Sequence, residues 1–435
     1  MRRRICALLA LVLTWTVAGR AHAQAVDDGS SLRIYLMTVE PGSEIWEKFG
    51  HDALWIIDSA TGERVSYNYG IFDFAQPHFI PNFLRGRMLY SMGEAPRSVD
   101  AELAYYASFN RTIVVQELNL TPAQKRDLRD FLAWNNLPEN TSYRYDYFRD
   151  NCATRIRDAI DRATGGQLRS ALTARDAGTT YRWQARRMMA AEVPVGTFDV
   201  GPLAYTGIEL GLGNPVDHPL NAWDDSFLPM QLMEHVRHVD VRGPDGADAP
   251  LVLEERVLYQ SDRAPVAAEP PNRTGVHLLI GLIIGGILLA AGWLAASYRA
   301  ARVAFGVVGF LWSLVAGVFG LIIMLLWAVT DHTATYRNEN VLQLNVLSLV
   351  LAVLVLTALF GRARRTAFRV AAAVAGLAVL GFVLQIMPEF DQFNGEIIAL
   401  ALPAHLGLLG GMVYLTGYKV SSRRDGLGAE PAVRV

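Results

Sequence analysis

The sequence predicts an exported α+β domain followed by an all-α transmembrane bundle of five helices. Charged residues make up 19% of the 435 residues, below the roughly 25% of ordinary soluble proteins. The deficit is local, since residues 24–272 read as a globular sequence while residues 276–417 are dominated by Leu, Val, Ala, Gly and Ile. The net charge of −2 gives no reason to expect a nucleic-acid partner.

The N-terminus has the pattern of a secretory signal peptide, which we place at 1–23. Three arginines precede a short apolar run, and Ala21-His22-Ala23 supplies the small-x-small pattern before a cleavage point. An uncleaved anchor is the alternative, but the apolar run is short for a membrane span. With either a cleaved signal peptide or an uncleaved anchor, the residues that follow are exported.

Five apolar segments are long enough to cross a bilayer, which takes roughly 20 residues. They run over 276–297, 303–329, 343–360, 367–387 and 396–417. Arg and Lys are concentrated after the first, third and fifth segments, which places these regions in the cytoplasm and the loops 330–342 and 388–395 outside. The chain is thus divided into a signal peptide (1–23), an exported catalytic domain (24–262), a linker (263–275), a transmembrane domain (276–420) and a cytoplasmic tail (421–435).

The exported domain mixes strand and helix signals. Strands are predicted at 32–39 and 113–118, and a hairpin at 53–58 and 64–69 around a Thr-Gly turn. A helix should begin after Thr121, because Pro occupies the first helical position and Gln follows three residues after the cap. This mixture is typical of an α+β domain.

Cys152 is the only cysteine that would remain after cleavage of the signal peptide, and it opens a predicted helix. Asn151 is a natural N-cap, while Ile156, Ala159 and Ile160 form an apolar stripe at helical spacing. The unpaired N–H groups and partial positive charge of a helix N-terminus favour a thiolate. We therefore expect a lowered pKa and a nucleophilic Cys152, the alternative being a small buried side chain.

A nucleophilic cysteine needs a base, and the exported region offers histidines at 51, 78, 218, 235 and 238. His51 ranks first, because it follows a glycine and opens a predicted strand, where its side chain can point into a cleft. His235 and His238 fall on a helix that reads as surface. The sequence contains no zinc-ligand spacing and no glycine-rich phosphate loop, so no metal or cofactor is expected.

Several motifs resemble those of a known family. The segments at 48–51 (Lys-Phe-Gly-His), 67–72 (Tyr-Asn-Tyr-Gly-Ile-Phe) and 150–155 (Asp-Asn-Cys-Ala-Thr-Arg) resemble the N-terminal periplasmic domain of Lnb-type lipoprotein N-acyltransferases. The outward loop at 331–340 resembles the membrane part of the same proteins. The resemblance implies a protein of the bacterial inner membrane, with its N-terminal domain in the periplasm and its C-terminus in the cytoplasm.

The order of a histidine on a strand before a cysteine on a helix is also similar to permuted papain-like folds, such as lecithin–retinol acyltransferase. This resemblance implies a papain-like exported domain in which Cys152 and His51 form the catalytic pair. A third polar group orients the histidine in such sites, and Asn68 and Tyr67 are both candidates. Asp52 is less suitable, because neighbouring residues of a strand point to opposite faces.

The reaction that the resemblance implies is acyl transfer. A fatty acyl chain would move from a phospholipid donor to Cys152 as a thioester, and then to the N-terminal amine of a diacylglyceryl lipoprotein. The aromatic residues between 72 and 83, with Arg85 and Arg87, offer a path for acyl chains and phosphate, or else simple core packing and solvated charge. Substrate contacts are expected from Asn151, Arg155, Asp331, His332, Asn338 and Asn340.

Two alternatives remain open from the sequence. A papain-like cell-wall amidase or peptidase would use the same cysteine and histidine, but five spans would be an excessive anchor for it. A non-enzymatic envelope assembly protein would keep Cys152 as an inert buried side chain. Thiol reactivity near neutral pH separates the enzymes from the inert protein.

Overall fold

The structure is a computed structural model, which describes residues 28–94, 98–192, 194–195, 198–243 and 246–417. The predicted signal peptide and cytoplasmic tail lie outside the described residues. Within these residues, an N-terminal α+β domain precedes five helical segments that are long and apolar enough to cross a membrane. This arrangement confirms the predicted fold class.

An antiparallel sheet forms the centre of the exported domain. The strands are β1 (Leu32–Val39), β2 (His51–Asp58), β3 (Arg64–Ile71), β4 (Leu89–Glu94), β5 (Ile113–Leu118), β6 (Ser142–Arg144), β7 (Pro194–Val195), β8 (Phe198–Asp199), β9 (Asp240–Arg242), β10 (Asp248–Pro250) and β11 (Val252–Tyr259). Seven of them make one sheet in the order β11-β5-β1-β2-β3-β4-β6. The predicted strands are confirmed, and the β2–β3 hairpin turns at Gly62, whose φ of 75° suits glycine.

Helices cover both faces of this sheet. Those of the exported domain are α1 (Phe79–Leu84), α2 (Val99–Ser108), α3 (Pro122–Asn135), α4 (Cys152–Ala163), α5 (Gln167–Thr173), α6 (Tyr181–Met188), α7 (Gly201–Gly211), α8 (Ala222–Asp225) and α9 (Pro229–Arg237). On one face, α3, α4, α5 and α9 bury Leu36, Leu54 and the predicted stripe of α4. On the other face, α2 covers Met37 and Trp55. Because side chains alternate along a strand, neighbouring residues such as Leu36 and Met37 lie on opposite faces of the sheet.

The membrane part follows the predicted order of spans. Its helices are α10 (Thr274–Leu294), α11 (Arg299–Val329), α12 (Asn340–Gln343), α13 (Leu347–Leu359), α14 (Arg364–Leu384) and α15 (Gly395–Thr416). The third span is interrupted, since α12 and α13 are separated by three residues that include the buried Asn345. Non-helical backbone at membrane depth is tolerated where protein buries it.

Close backbone contact joins the first and last spans. A Cβ added to Gly285 on α10 would lie 2.3 Å from the carbonyl oxygen of Pro403, and one added to Gly407 on α15 would lie 2.2 Å from the oxygen of Gly285. No larger residue fits at these positions without moving a helix. Small residues of this kind are typical of helix pairs in membranes.

Buried polar contacts hold the exported domain on the membrane bundle. Arg186 on α6 donates to Glu396 on α15 at 2.5 Å and to the hydroxyl of Tyr205 at 2.7 Å. All three side chains are buried. A buried ion pair between two parts of a chain fixes their relative position, because breaking it leaves an unpaired charge out of water.

Candidate active site

The exported domain and the outward loop together enclose a cavity of about 650 Å³. Its wall combines the 3-10 helix Ile45–Glu47, the start of β2, the end of β3, the N-terminus of α4, part of α7 and residues 331–335 of the loop. Most of the lining is apolar or aromatic, as in small-molecule sites. The large side chains include Trp46, Phe49, Phe72, Phe83, Tyr106 and Tyr145.

Cys152 lies at the first residue of α4, as the sequence predicts. Asn151 Oδ1 accepts a hydrogen bond from Thr154 N at 3.0 Å, and Thr154 Oγ1 accepts one from Asn151 N at 2.8 Å. This reciprocal capping box determines where the helix begins. The half-buried Cys152 is consequently presented to the cavity.

His51 opens β2 and also lines the cavity. Its Nε2 lies 2.7 Å from Asn68 Oδ1, and Asn68 Nδ2 donates to Ser66 Oγ at 3.1 Å. Asn68 is thus the polar partner of the histidine in the structure, whereas Tyr67 belongs to the core on the opposite face of the sheet. Since the amide oxygen is an acceptor, Nε2 carries the proton and Nδ1 can accept one.

Cys152 and His51 reach the cavity from different elements. The backbone N–H of Asp52, the residue after His51, lies near the Cys152 thiol and acts to lower its pKa. Gly70 on β3 lies beside the cysteine, because a Cβ added there would be 3.8 Å from Cys152 Cβ. The Asp52 carboxylate accepts from Thr38 Oγ1 at 2.7 Å. Asp52 therefore does not take the place of Asn68 beside the histidine.

The expectation of a lowered Cys152 pKa is wrong in this structure. Burial, assisted by the nearby Asp52 carboxyl, raises the pKa of the thiol to about 12, although the N–H groups of Asp52, Ala153 and Cys152 oppose it. Loss of water around a thiolate thus outweighs the helix N-terminus. Burial also lowers the pKa of His51. Both side chains are therefore neutral near pH 7, Cys152 as a thiol and His51 as an imidazole.

Asp331 and His332, two of the expected substrate contacts, line the cavity. The Asp331 carboxylate accepts from Arg87 at 2.7 Å and also from Arg144. These hydrogen bonds hold the pKa of Asp331 below its ordinary value. The His332 ring stacks on Tyr147, with the ring centroids 6.2 Å apart. The start of the outward loop therefore forms one wall of the cavity, and the ion pairs of Asp331 with Arg87 and Arg144 hold it against the exported domain.

Asn338 and Asn340 lie elsewhere on the same loop. Both are buried, and their amides donate to the carbonyl oxygens of Leu210 (2.8 Å) and Glu209 (3.2 Å) at the end of α7. Neither residue is among the described residues that line the cavity. The structure gives them a docking role, because they satisfy carbonyl groups that a helix C-terminus leaves unpaired.

Asn151 and Arg155 have structural partners as well. Asn151 lines the cavity, but its amide nitrogen donates to the carbonyl oxygens of Tyr147 and Phe227. Arg155 is paired with Asp150 and does not appear among the described lining residues. Of these two expected contacts, only Asn151 is within the cavity wall.

The sequence reasoning missed Arg111, Tyr105 and Tyr106, which line the cavity beside His51. The rings of Tyr106 and His51 are 6.2 Å apart, and the Arg111 guanidinium lies 5.1 Å from the centre of the Tyr106 ring. These residues come from α2 and the turn before β5, where no local motif marks them. Among the described residues, no group of three His, Cys, Asp or Glu could hold a metal ion.

Two family models match this chain. Residues 20–187 match the Lnb N-terminal periplasmic domain, and residues 278–405 match the Lnb transmembrane domain. The first match includes Cys152, His51 and Asn68, and the second includes the outward loop. No curated protein and no solved structure matches the chain.

Proposed function

Because the chain belongs to the Lnb family of membrane proteins, we propose that it is a membrane-bound acyltransferase. It moves a fatty acyl chain from a phospholipid, through a thioester on Cys152, to the N-terminal amine of diacylglyceryl lipoproteins. The observation that carries the proposal is that Cys152 and His51 line one cavity together with the outward membrane loop. The permuted papain-like order of histidine and cysteine belongs to the same proposal.

In the first half-reaction, Cys152 Sγ attacks an ester carbonyl of the phospholipid while His51 Nδ1 takes the thiol proton. The C–S bond forms and the C–O bond to the glycerol breaks. His51 then gives the proton to the departing hydroxyl of the lysophospholipid. Asn68 holds the imidazole in the required tautomer through its bond to Nε2. A neutral resting pair suits this general-base scheme, because the proton moves as the attack proceeds.

In the second half-reaction, the lipoprotein amine attacks the thioester carbon. The C–N bond forms, the C–S bond breaks, and His51 carries the amine proton to the thiolate of Cys152. An α-amine has a pKa of about 8, so that part of it is neutral and nucleophilic at pH 7. The N–H groups at the start of α4 are suited to stabilising the oxyanion in both halves.

The position of the cavity favours lipid substrates. Residues 331–335 of its wall directly follow α11, which ends at Val329. Beside this loop, Phe74 (72%), Ile80 (67%) and Leu84 (60%) are exposed apolar side chains at or near α1, and such patches mark lipid or protein contacts. With the topology that the loop charges predict, this surface meets the outer leaflet of the inner membrane and the C-terminus is cytoplasmic.

A reconstituted transfer assay tests the proposal. The purified protein is placed in phospholipid vesicles that carry deuterated acyl chains, a synthetic diacylglyceryl lipopeptide is added, and the peptide is analysed by mass spectrometry. We expect one deuterated chain as an amide with the wild-type protein, and none with Cys152→Ser or His51→Ala. Without acceptor, the deuterated chain should accumulate on Cys152. Full transfer by Cys152→Ser, or none by the folded wild type, would refute the proposal.

The same preparation separates the two alternatives. A cell-wall amidase would release fragments from peptidoglycan and leave the lipopeptide unchanged. An assembly protein would do neither. A lipid-dependent product that requires both Cys152 and His51 excludes both alternatives.

A further inference from the structure

Arg111 is a buried arginine in the wall of the cavity. It stands in the turn between α2 and β5 and is 4% exposed. Among the described residues that line the cavity, it is the only arginine or lysine. Its charge contributes to lowering the pKa of His51, so the two groups share one electrostatic environment.

The guanidinium of Arg111 is incompletely paired. Its Nε donates to the Glu40 carbonyl oxygen at 2.8 Å, and its Nη1 donates to Glu47 Oε1 at 3.4 Å. Charge-assisted hydrogen bonds are normally about 2.7–2.9 Å, so the contact with Glu47 is a loose one. Nη2 is buried and has no hydrogen-bond partner in the described part of the chain.

Arg111 is always positively charged, and its Nη2 is a buried hydrogen-bond donor without a partner in the described part of the chain. Both properties favour the binding of an anionic ligand at this position. Of the two substrates in the proposed reaction, only the phospholipid carries a phosphate next to the reacting ester. The acceptor brings an amine and two uncharged esters to the same place. Arginine also presents a planar fork of donors that fits a phosphate better than a lysine does.

We propose that Arg111 binds the phosphate of the donor phospholipid and so selects phospholipids over uncharged acyl esters. This inference rests on the proposed acyltransferase function. The phosphate is held on the Tyr106 side of His51 while the ester carbonyl lies at Cys152. The acyl chain then follows the apolar remainder of the cavity wall.

The test compares two acyl donors that differ only in the phosphate-containing headgroup. The full-length protein and its variants act on a phospholipid or on a diacylglycerol with identical chains, with the same lipopeptide acceptor. For Arg111→Gln we expect kcat/KM with the phospholipid to fall roughly 10- to 100-fold more than kcat/KM with diacylglycerol, as for the loss of a hydrogen bond to a charged group, because any effect on His51 is common to both donors. Arg111→Lys should be intermediate with the phospholipid.

The donor comparison also separates binding from folding. If Arg111 only holds the turn at Glu40, both donors lose activity equally, and the inference is overturned. If phospholipid transfer is lost selectively in Arg87→Gln and not in Arg111→Gln, the phosphate binds beside Asp331, and the inference is also overturned. If the wild type transfers no chain from either donor, the proposed function itself fails. Inorganic phosphate should not stimulate transfer from diacylglycerol; stimulation that requires Arg111 would assign the site to free phosphate.

Discussion

Under the proposed function, in which His51 is the base, its hydrogen bond from Nε2 to Asn68 Oδ1 leads to a specific prediction about catalysis. Replacing Asn68 by Ala removes the acceptor, so the Nε2 proton of His51 loses its hydrogen-bond partner. Burial already keeps this histidine neutral. The imidazole then loses both its fixed tautomer and its orientation. The effect should appear in kcat more than in KM, because the bond acts on the base and not on the lipid.

The magnitude follows from the burial of the pair. Asn68 is 6% exposed, so water cannot readily replace its oxygen. Leaving a buried donor unsatisfied costs about 1–3 kcal/mol, and each 1.4 kcal/mol on a barrier is tenfold in rate. We expect kcat of Asn68→Ala to fall about 5- to 150-fold in the deuterated-chain transfer assay.

Tyr67 provides the matched control, because it is the neighbouring residue of the same strand and lies in the opposite core. Tyr67→Phe should transfer acyl chains at the wild-type rate. Asn68→Asp keeps an acceptor but places a negative charge beside the imidazole, which raises the His51 pKa and shifts the acid limb of the pH–rate profile to higher pH. Unchanged kcat in Asn68→Ala, or an equal loss in Tyr67→Phe, would refute the reasoning.

Three further predictions concern reactivity and stability. Because burial raises the Cys152 pKa to about 12, alkylation of the native protein by iodoacetamide, followed by mass spectrometry, should be slow at pH 7 and accelerate about tenfold per pH unit to pH 10; a plateau near pH 7 would contradict this. With a thiol of this pKa, an enzyme is distinguished from an inert protein by labelling that slows in His51→Ala and not by a fast rate at neutral pH. Burial alone would raise the pKa of Asp225, but hydrogen bonds from His235 and three other side chains lower it. The stability that the ionised Asp225 carboxylate contributes is therefore lost as the pH falls below about 4. Asp225→Asn should lower the melting temperature by several degrees near neutral pH and should make the melting temperature less dependent on pH below about 4. Glu396→Ala removes the nearest carboxylate from the buried Arg186 and leaves it with the Tyr205 hydroxyl and with Glu209, whose carboxylate is 3.6 Å away. Breaking a buried ion pair costs about 3–5 kcal/mol when no other charge compensates, so we expect a loss at or below the lower end of this range. In thermal unfolding it should still exceed the loss in Asp331→Ala, whose arginine partners are half exposed.

Elements with local signals were predictable from the sequence. At α3, Thr121 Oγ1 accepts from Gln124 N at 3.2 Å and Gln124 Oε1 accepts from Thr121 N at 2.9 Å, which is the capping pattern read from four consecutive residues. The membrane spans were equally predictable, because the length and hydropathy of a segment suffice to identify a span. The break between α12 and α13 coincides with Gln343 and Asn345, but the segment contains no Pro or Gly, the residues that mark the end of a helix in a sequence.

The details of the site depended on tertiary structure. Asn68 and Tyr67 were equal candidates until the register of β2 and β3 paired Ala53 with Asn68 and Leu54 with Tyr67, which assigns them to opposite faces. The direction of the Cys152 pKa shift was predicted wrongly for a similar reason. The field of a helix N-terminus can be read from the sequence, whereas desolvation depends on what packs over the thiol.

Under the proposed function, the outward loop explains why five spans accompany the exported domain. Its first part, at Asp331 and His332, closes the cavity, and its second part, at Asn338 and Asn340, fastens the end of α7. An exported domain separated from the bundle would keep Cys152 and His51 but lose one wall of the cavity, the wall next to the bilayer. The loop between the spans therefore completes the cavity as well as joining two membrane helices, which an amidase acting on the distant cell wall would not require. Under the proposed function, a substrate that reaches Cys152 past this wall comes from the lipid side, which supports a membrane lipid as the acyl donor.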